Sequence, residues 1–80
     1  MKYYANSKLN KIRLALLNGE KLSSLDAVER FRTTRLAAYV HTLRKTGYKI
    51  ITIMKRFRTD EGEFLRYAEY WIPPSWRENQ

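Results

Sequence analysis

The sequence predicts an α+β fold: three short helices followed by a β-hairpin. Two observations carry that prediction. Apolar residues recur at helical spacing from Leu9 to Leu43, in three stretches separated by turn signals. After Gly47 the period changes, and two runs rich in β-branched and aromatic residues flank a polar stretch that contains Gly62. The chain has 80 residues, enough for one small domain that buries only about 60% of its unfolded surface.

The first helix is predicted in NSKLNKIRLALLNGE, where Leu9, Ile12 and Leu16 share one face with Leu17 beside them. Asn6 or Ser7 can cap its start by accepting from an orphan backbone N–H, and Asn18-Gly19 ends it. The second lies in LSSLDAVERF. Ser23-Ser24 with Asp26 approach a capping box, and Leu25, Val28 and Phe31 form an apolar stripe for the core. The third runs through RLAAYVHTLRK. Thr33 or Thr34 is its expected cap, and Gly47 can take the left-handed conformation that stops it.

YKIITIMKRF and EFLRYAEYWI then read as the two hairpin strands, with RTDEGE as the loop between them. Lys21 and Leu22 can add a short third strand. Pro73-Pro74 ends the sheet, because proline donates nothing to a ladder. These boundaries place one domain at residues 1–72 and a C-terminal tail at 73–80. Two helices joined by a few residues form a helix-turn-helix, and a hairpin after the third helix is then a wing: a winged helix-turn-helix, with a three-helix core followed by a β-hairpin wing.

Charge gives the functional lead. The net charge is +8, and its signs are segregated. No Asp or Glu occurs from Arg30 to Thr59, a window holding Arg30, Arg32, Arg35, Arg44, Lys45, Lys49, Lys55, Arg56 and Arg58. Solubility alone does not require such segregation, and it is the footprint expected of a nucleic-acid binder. The chain has no cysteine and one histidine, His41, which leaves little material for a metal centre or a catalytic triad, so no cofactor is expected. Glu61, Glu63 and Glu69 have neither metal-ligand spacing nor a nucleophile–base pairing, so no enzyme is expected either. The N-terminus lacks an apolar h-region and no stretch approaches about 18 apolar residues. The expectation is a soluble protein of the cytoplasm, not bound to a membrane.

Turning the third helix by about 100° per residue puts Leu36, Val40 and Leu43 on the core side, flanked by Ala37, Tyr39 and Arg44. Thr34, Arg35, Ala38, His41, Thr42 and Lys45 face outward. That face has no acid, and Ala38 at its centre permits close approach to another surface. In the major groove of double-stranded DNA, Arg35 can pair with guanine, Thr34 and Thr42 can meet base, phosphate or a thymine methyl, and Lys45 can meet phosphate. Residues nearest the helix start usually reach the base edges, which ranks Thr34, Arg35 and Ala38 first. Arg44 and Lys45 also have a purely structural reason, since the helix dipole favours cations in the last turn. Ser23, Ser24, Arg32, Thr33 and Lys49 are candidate backbone contacts, as are Arg56 and Arg58 at the base of the wing, with Arg66 on the return strand.

The wing tip, Asp60-Glu61-Gly62-Glu63, is acidic, so it should point away from a duplex or else meet a protein. Trp76, after the prolines, is either folded over the core or an anchor for a partner. These features support a second reading, a small winged-helix adaptor that binds and modulates a host protein.

Arg35-Leu36-Ala37-Ala38-Tyr39-Val40-His41-Thr42-Leu43-Arg44-Lys45-Thr46-Gly47-Tyr48-Lys49-Ile50 resembles the pattern Arg-Leu-Ala-Ala-x-Ile/Val-x-x-Leu-Arg-x-x-Gly-x-x-Ile. That pattern belongs to the small winged helix-turn-helix domains common in bacteriophages and prophages. The preceding Leu22-Ser23-Ser24 and Ala27 fit it as well, and the resemblance covers about the first fifty residues closely and the hairpin loosely. It implies a three-helix winged fold, a DNA-binding role, and work in the cytoplasm of a bacterial host. A phage or prophage transcriptional regulator is the leading reading, acting as a dimer or cooperative array because one such domain reads few base pairs. The sequence departs from the family at Arg32, where the family has glycine. If that position is left-handed, a side chain there costs about 1 kcal/mol, which a phosphate contact could offset.

Overall fold

The computed structural model describes residues 7–77; Asn6 and the end of the tail, residues 78–80, lie outside them. The element order is α1 (Lys8–Leu17), β1 (Leu22–Ser23), α2 (Ser24–Phe31), α3 (Leu36–Lys45), β2 (Ile51–Arg58), β3 (Phe64–Trp71) and α4 (Pro74–Arg77). The three strands form one antiparallel sheet in the order β1-β3-β2. This is the predicted three-helix core with a hairpin, and β1 is the predicted third strand, moved by one residue.

Ser7 caps α1, its hydroxyl accepting from the Asn10 N–H at 3.1 Å. Ser23 caps α2 through a full capping box: its Oγ accepts from the Asp26 N–H at 3.2 Å, and the Asp26 carboxylate accepts from the Ser23 N–H at 2.8 Å. Gly47 (φ +102°) ends α3. The Tyr48 N–H reaches back to the Leu43 carbonyl and the Gly47 N–H to the Arg44 carbonyl, the paired bonds of a Schellman motif.

The core is built from Ile12, Ala15, Leu16, Leu22, Ala27, Leu36, Val40, Leu43, Ile50 and Ile72, all buried. Each fully buried large aliphatic side chain contributes about 1.5–3 kcal/mol over leaving it in water. Leu36, Val40 and Leu43 fall on the core side of α3 as their spacing predicts.

Two expectations are corrected. The stripe Leu25, Val28 and Phe31 does not form the buried face of α2: Leu25 is 65% and Val28 43% exposed, while Ala27 is fully buried and Phe31 partly so. The capping box fixes how this short helix leaves β1, and Ala27, with only a methyl group, allows its backbone close to the core. The second correction is at the start of α3. Neither Thr33 nor Thr34 caps it; Arg35 occupies the cap position with no side-chain cap bond. Thr33 is buried, and its Oγ1 accepts from the Arg35 N–H at 3.0 Å, so it braces the turn one step earlier.

Beyond Pro73 the chain makes a single helical turn, with the Trp76 and Arg77 N–H groups both donating to the Pro73 carbonyl. The Arg77 guanidinium lies against Gly19, which has φ +95°, so that a Cβ at Gly19 would overlap it.

Candidate nucleic-acid interface

The turn between α2 and α3 is built on a left-handed arginine. Arg32 has φ +56° and ψ +42°, and it is the one non-glycine residue with positive φ among the described residues. Its N–H closes α2 on the Val28 carbonyl at 3.2 Å, and the next N–H, of Thr33, reaches the Ala27 carbonyl at 3.2 Å. Lys8 from α1 donates to the Arg32 carbonyl at 2.8 Å, pinning the turn from the far side. The position at which the resemblance expects glycine is therefore left-handed in this chain, with a side chain where none is favoured. Arg32 is exposed, and among the described residues its guanidinium makes no hydrogen bond or ion pair that would account for the strain.

Thr34 and Arg35 follow, both exposed, in the turn itself rather than in the helix. Along α3, Ala37, Ala38, His41 and Lys45 are exposed and Thr42 is half-buried. The Thr42 hydroxyl donates to the Ala38 carbonyl one turn back, at 3.1 Å. That leaves its oxygen lone pairs and its methyl group to the outside. Lys49, also exposed, lies in the connection from α3 to β2.

Not every cation of the acid-free window is free for a ligand. Arg30 pairs with Glu20 through both terminal guanidinium nitrogens, at 2.5 and 3.2 Å, and the hydrogen bond it donates to that carboxylate, more than simple charge attraction, raises the Arg30 pKa further. Arg44 donates through Nε and a terminal nitrogen to the Ile50 carbonyl at 2.9 and 2.7 Å, reaches the Thr52 hydroxyl at 3.0 Å, and lies over the Tyr70 ring. It ties the end of α3 to the start of the sheet, a stronger structural reason than the helix dipole alone.

Strand register sorts the wing into two faces, because successive side chains in a strand point to opposite sides. Arg56 pairs directly with Arg66, Arg58 with Phe64, Met54 with Ala68 and Thr52 with Tyr70. These eight side chains share one face. At its root this is the side on which α3 packs, since Tyr70 joins the core and Arg44 reaches both Thr52 and Tyr70. The face carries Arg56, Arg58 and Arg66 and no acid. The directly opposed Arg56 and Arg66 repel by up to about 1 kcal/mol, a cost that an anion between them would relieve. Phe64 organises the other pair: the Arg56 guanidinium lies 5.0 Å and that of Arg58 6.0 Å from its ring centroid.

Lys55 falls on the opposite face, with Phe57, Leu65, Tyr67 and Glu69, so it does not add to the arginine set. The acidic residues occupy the tip, a three-residue loop closed by Thr59 and Glu63, with Gly62 at φ +87°.

The structure thus joins Arg32, Thr34, Arg35, Ala38, Thr42 and Lys45 in one continuous run of turn and helix, and places Arg56 and Arg58 on the α3 side of the hairpin. Thr33 and Ser23 are buried, and their hydroxyls are engaged in the turn and the capping box. Ser24 is exposed at the start of α2, beside Phe57 and Tyr67 rather than beside α3. Arg66 is the residue that sequence order alone undervalues; counting strand parity from the loop finds it. Among the described residues no group of His, Cys, Asp and Glu could hold a metal ion, and no helix is long and apolar enough to cross a membrane.

A family model described as a winged helix-turn-helix domain matches residues 8–73. No curated protein and no solved structure matches the chain.

Proposed function

The chain belongs to the winged helix-turn-helix domain family, and from that premise we propose that it binds double-stranded DNA sequence-specifically, as a transcriptional regulator of phage or prophage origin. The observation that carries this reading is the acid-free wing face bearing Arg56, Arg58 and Arg66, on the side where Arg44 of α3 reaches the sheet.

In this reading α3 lies in the major groove. Arg35, at its very start, reaches guanine O6 and N7 with two parallel hydrogen bonds. Ala37 and Ala38 let the helix backbone approach, and the Thr42 methyl meets a thymine methyl. Arg32, Thr34, Lys45 and Lys49 contact phosphates, which set register without reading sequence, whereas Ser24 lies on the other side of the wing. Ser23 and Thr33 act indirectly, by holding the cap and the turn. Arg56, Arg58 and Arg66 lie along the backbone beside the groove, with the acidic tip beyond them.

Selection of bound sites from a random duplex library, followed by fluorescence anisotropy on the recovered site, tests the proposal. A preferred site should emerge, and Arg35→Ala should weaken binding to it by about 1–3 kcal/mol while relaxing the preference. No duplex binding by the folded protein would refute the function. Unchanged specificity in Arg35→Ala would refute the assignment of the reading residue.

A further inference from the structure

Phe64 is a large apolar side chain that folding leaves 59% exposed on a cationic surface. It begins β3 at the outer end of the hairpin, on the α3-side face and directly opposite Arg58. The Arg56 and Arg58 guanidiniums lie against its ring, and Arg66 opposes Arg56 one row nearer the core. Glu63 precedes Phe64 in the chain but not on this face. The Thr59 N–H donates to the Glu63 carbonyl at 2.7 Å and the Glu63 N–H to the Thr59 hydroxyl at 3.1 Å. These bonds carry the hairpin pairing one step outward, so alternation puts the Glu63 side chain on the other side. Among the described residues no ion pair joins Arg56, Arg58 or Arg66 to an acid.

We propose that Phe64 is a wedge: on DNA it enters the minor groove adjoining the major groove that holds α3, parts one stack of base pairs and bends the duplex. This rests on the DNA-binding reading above. Charge and shape select the partner. A surface that receives this ring must be flat and apolar, and it must be bordered by anions to meet the arginines around the ring. A base step between two phosphate strands is such a surface. Apolar wedges accompanied by arginine are the means by which minor-groove proteins kink DNA.

Reach selects a duplex over a single strand. Arg44 holds the end of α3 level with the Thr52–Tyr70 row of the hairpin. The Arg56–Arg66 row lies about 13 Å further out and the Arg58–Phe64 row about 20 Å, at the usual rise per strand residue. Adjacent major and minor grooves are half a helical turn apart, about 17 Å. The two rows therefore bracket a minor groove about 6 Å wide. The arginines meet the phosphates at its borders, and the ring that touches both Arg56 and Arg58 meets its floor. A single strand offers no such fixed spacing. The wedge also reads sequence without a base contact from α3. Pyrimidine–purine steps unstack most easily, so Phe64 selects such a step about five base pairs from the centre of the bases read by α3.

The site recovered from the random duplex library tests this with the full chain, with 2-aminopurine at each flanking position in turn and a donor–acceptor dye pair on the duplex ends. The wild type should raise 2-aminopurine fluorescence at one flanking step and bend the duplex by about 20° or more. Replacing a pyrimidine–purine step there with a stiff A-tract should weaken binding about tenfold. Phe64→Ala should bind without the bend, the fluorescence rise or the step preference. Phe57→Ala removes an exposed ring from the opposite face of the same hairpin and should bend DNA as the wild type does. Phe64→Leu keeps an apolar wedge without a ring for the guanidiniums and should keep most of the bend. A wild type that binds its site without bend or fluorescence rise would overturn the wedge and leave the DNA reading standing. So would a bend that survives Phe64→Ala, or one lost equally in Phe64→Leu, which would give the ring's role to the arginines alone. Tighter binding to the single strand than to the duplex would overturn the wedge and the duplex reading together. If no duplex is bound at all, the DNA reading fails first and the wedge with it.

Discussion

Replacing Arg32 with glycine should make the protein more stable and a poorer DNA binder. The left-handed backbone at Arg32, φ +56° and ψ +42°, costs an L-residue about 1–2 kcal/mol that glycine avoids. Glycine in turn raises the entropy of the unfolded chain, which takes back about 0.5–1 kcal/mol. No side-chain hydrogen bond or ion pair among the described residues is lost: Arg32 is exposed, and the bond from Lys8 is to its main-chain carbonyl. The net gain is therefore about 0.5–1 kcal/mol, or roughly 4 °C in Tm for a domain of this size. On DNA the variant lacks one phosphate contact, so its salt slope should fall by about 0.9 and its affinity should drop several-fold. Thermal unfolding by circular dichroism and anisotropy across a salt series read the two effects. Arg32→Asn serves as control, since Asn tolerates the left-handed region without carrying charge. A fall in Tm would show that the side chain stabilises the native state, and the strain argument would be wrong. A rise in Tm with unchanged affinity and slope would leave the strain but remove its functional reason.

Two further outcomes follow from the same geometry. Gly19→Ala should lower Tm by several degrees, because φ is +95° and the new methyl group would overlap the Arg77 guanidinium; Gly19→Ala with Arg77→Ala should recover only the steric part, and an unchanged Tm in the single variant would contradict the turn. Phe64→Ala should weaken DNA binding about fivefold by freeing the Arg56 and Arg58 guanidiniums from its ring, with little change in Tm since Phe64 is 59% exposed; a variant that binds normally would show that the ring does not organise the arginines.

The parts of this molecule that announce themselves in sequence are those where local chemistry and tertiary packing agree. Ser7, the Ser23–Asp26 box and Gly47 work locally, through bonds spanning a few residues, and Leu36, Val40 and Leu43 show the period of a helix lying flat on a core. Leu25 and Val28 mislead because spacing identifies an apolar stripe without saying which arc the neighbouring elements will cover; tiny Ala27 took that place. Thr33 carries the right chemistry for a cap, but the left-handed Arg32 shifts the chain so that its hydroxyl meets the Arg35 N–H. The Lys8–Arg32 bond spans 24 residues and leaves no local mark. The candidate site was legible as charge segregation, but its geometry was not. Glu20 lies outside the acid-free window yet neutralises Arg30 within it, and Lys55 and Arg56, adjacent in the chain, point to opposite sides of the hairpin.

That last division gives the most direct measurement of the account: the salt dependence of affinity for a single-site duplex, compared among wild type, Arg66→Ala and Lys55→Ala. Six cations assigned to phosphates, Arg32, Lys45, Lys49, Arg56, Arg58 and Arg66, predict a wild-type slope of roughly −5 in log affinity against log salt. The account predicts that Arg66→Ala reduces the steepness by about 0.9 and Lys55→Ala leaves it unchanged. Equal losses from the two variants, or a loss from Lys55→Ala alone, would contradict the claim that the α3-side face of the wing lies on DNA.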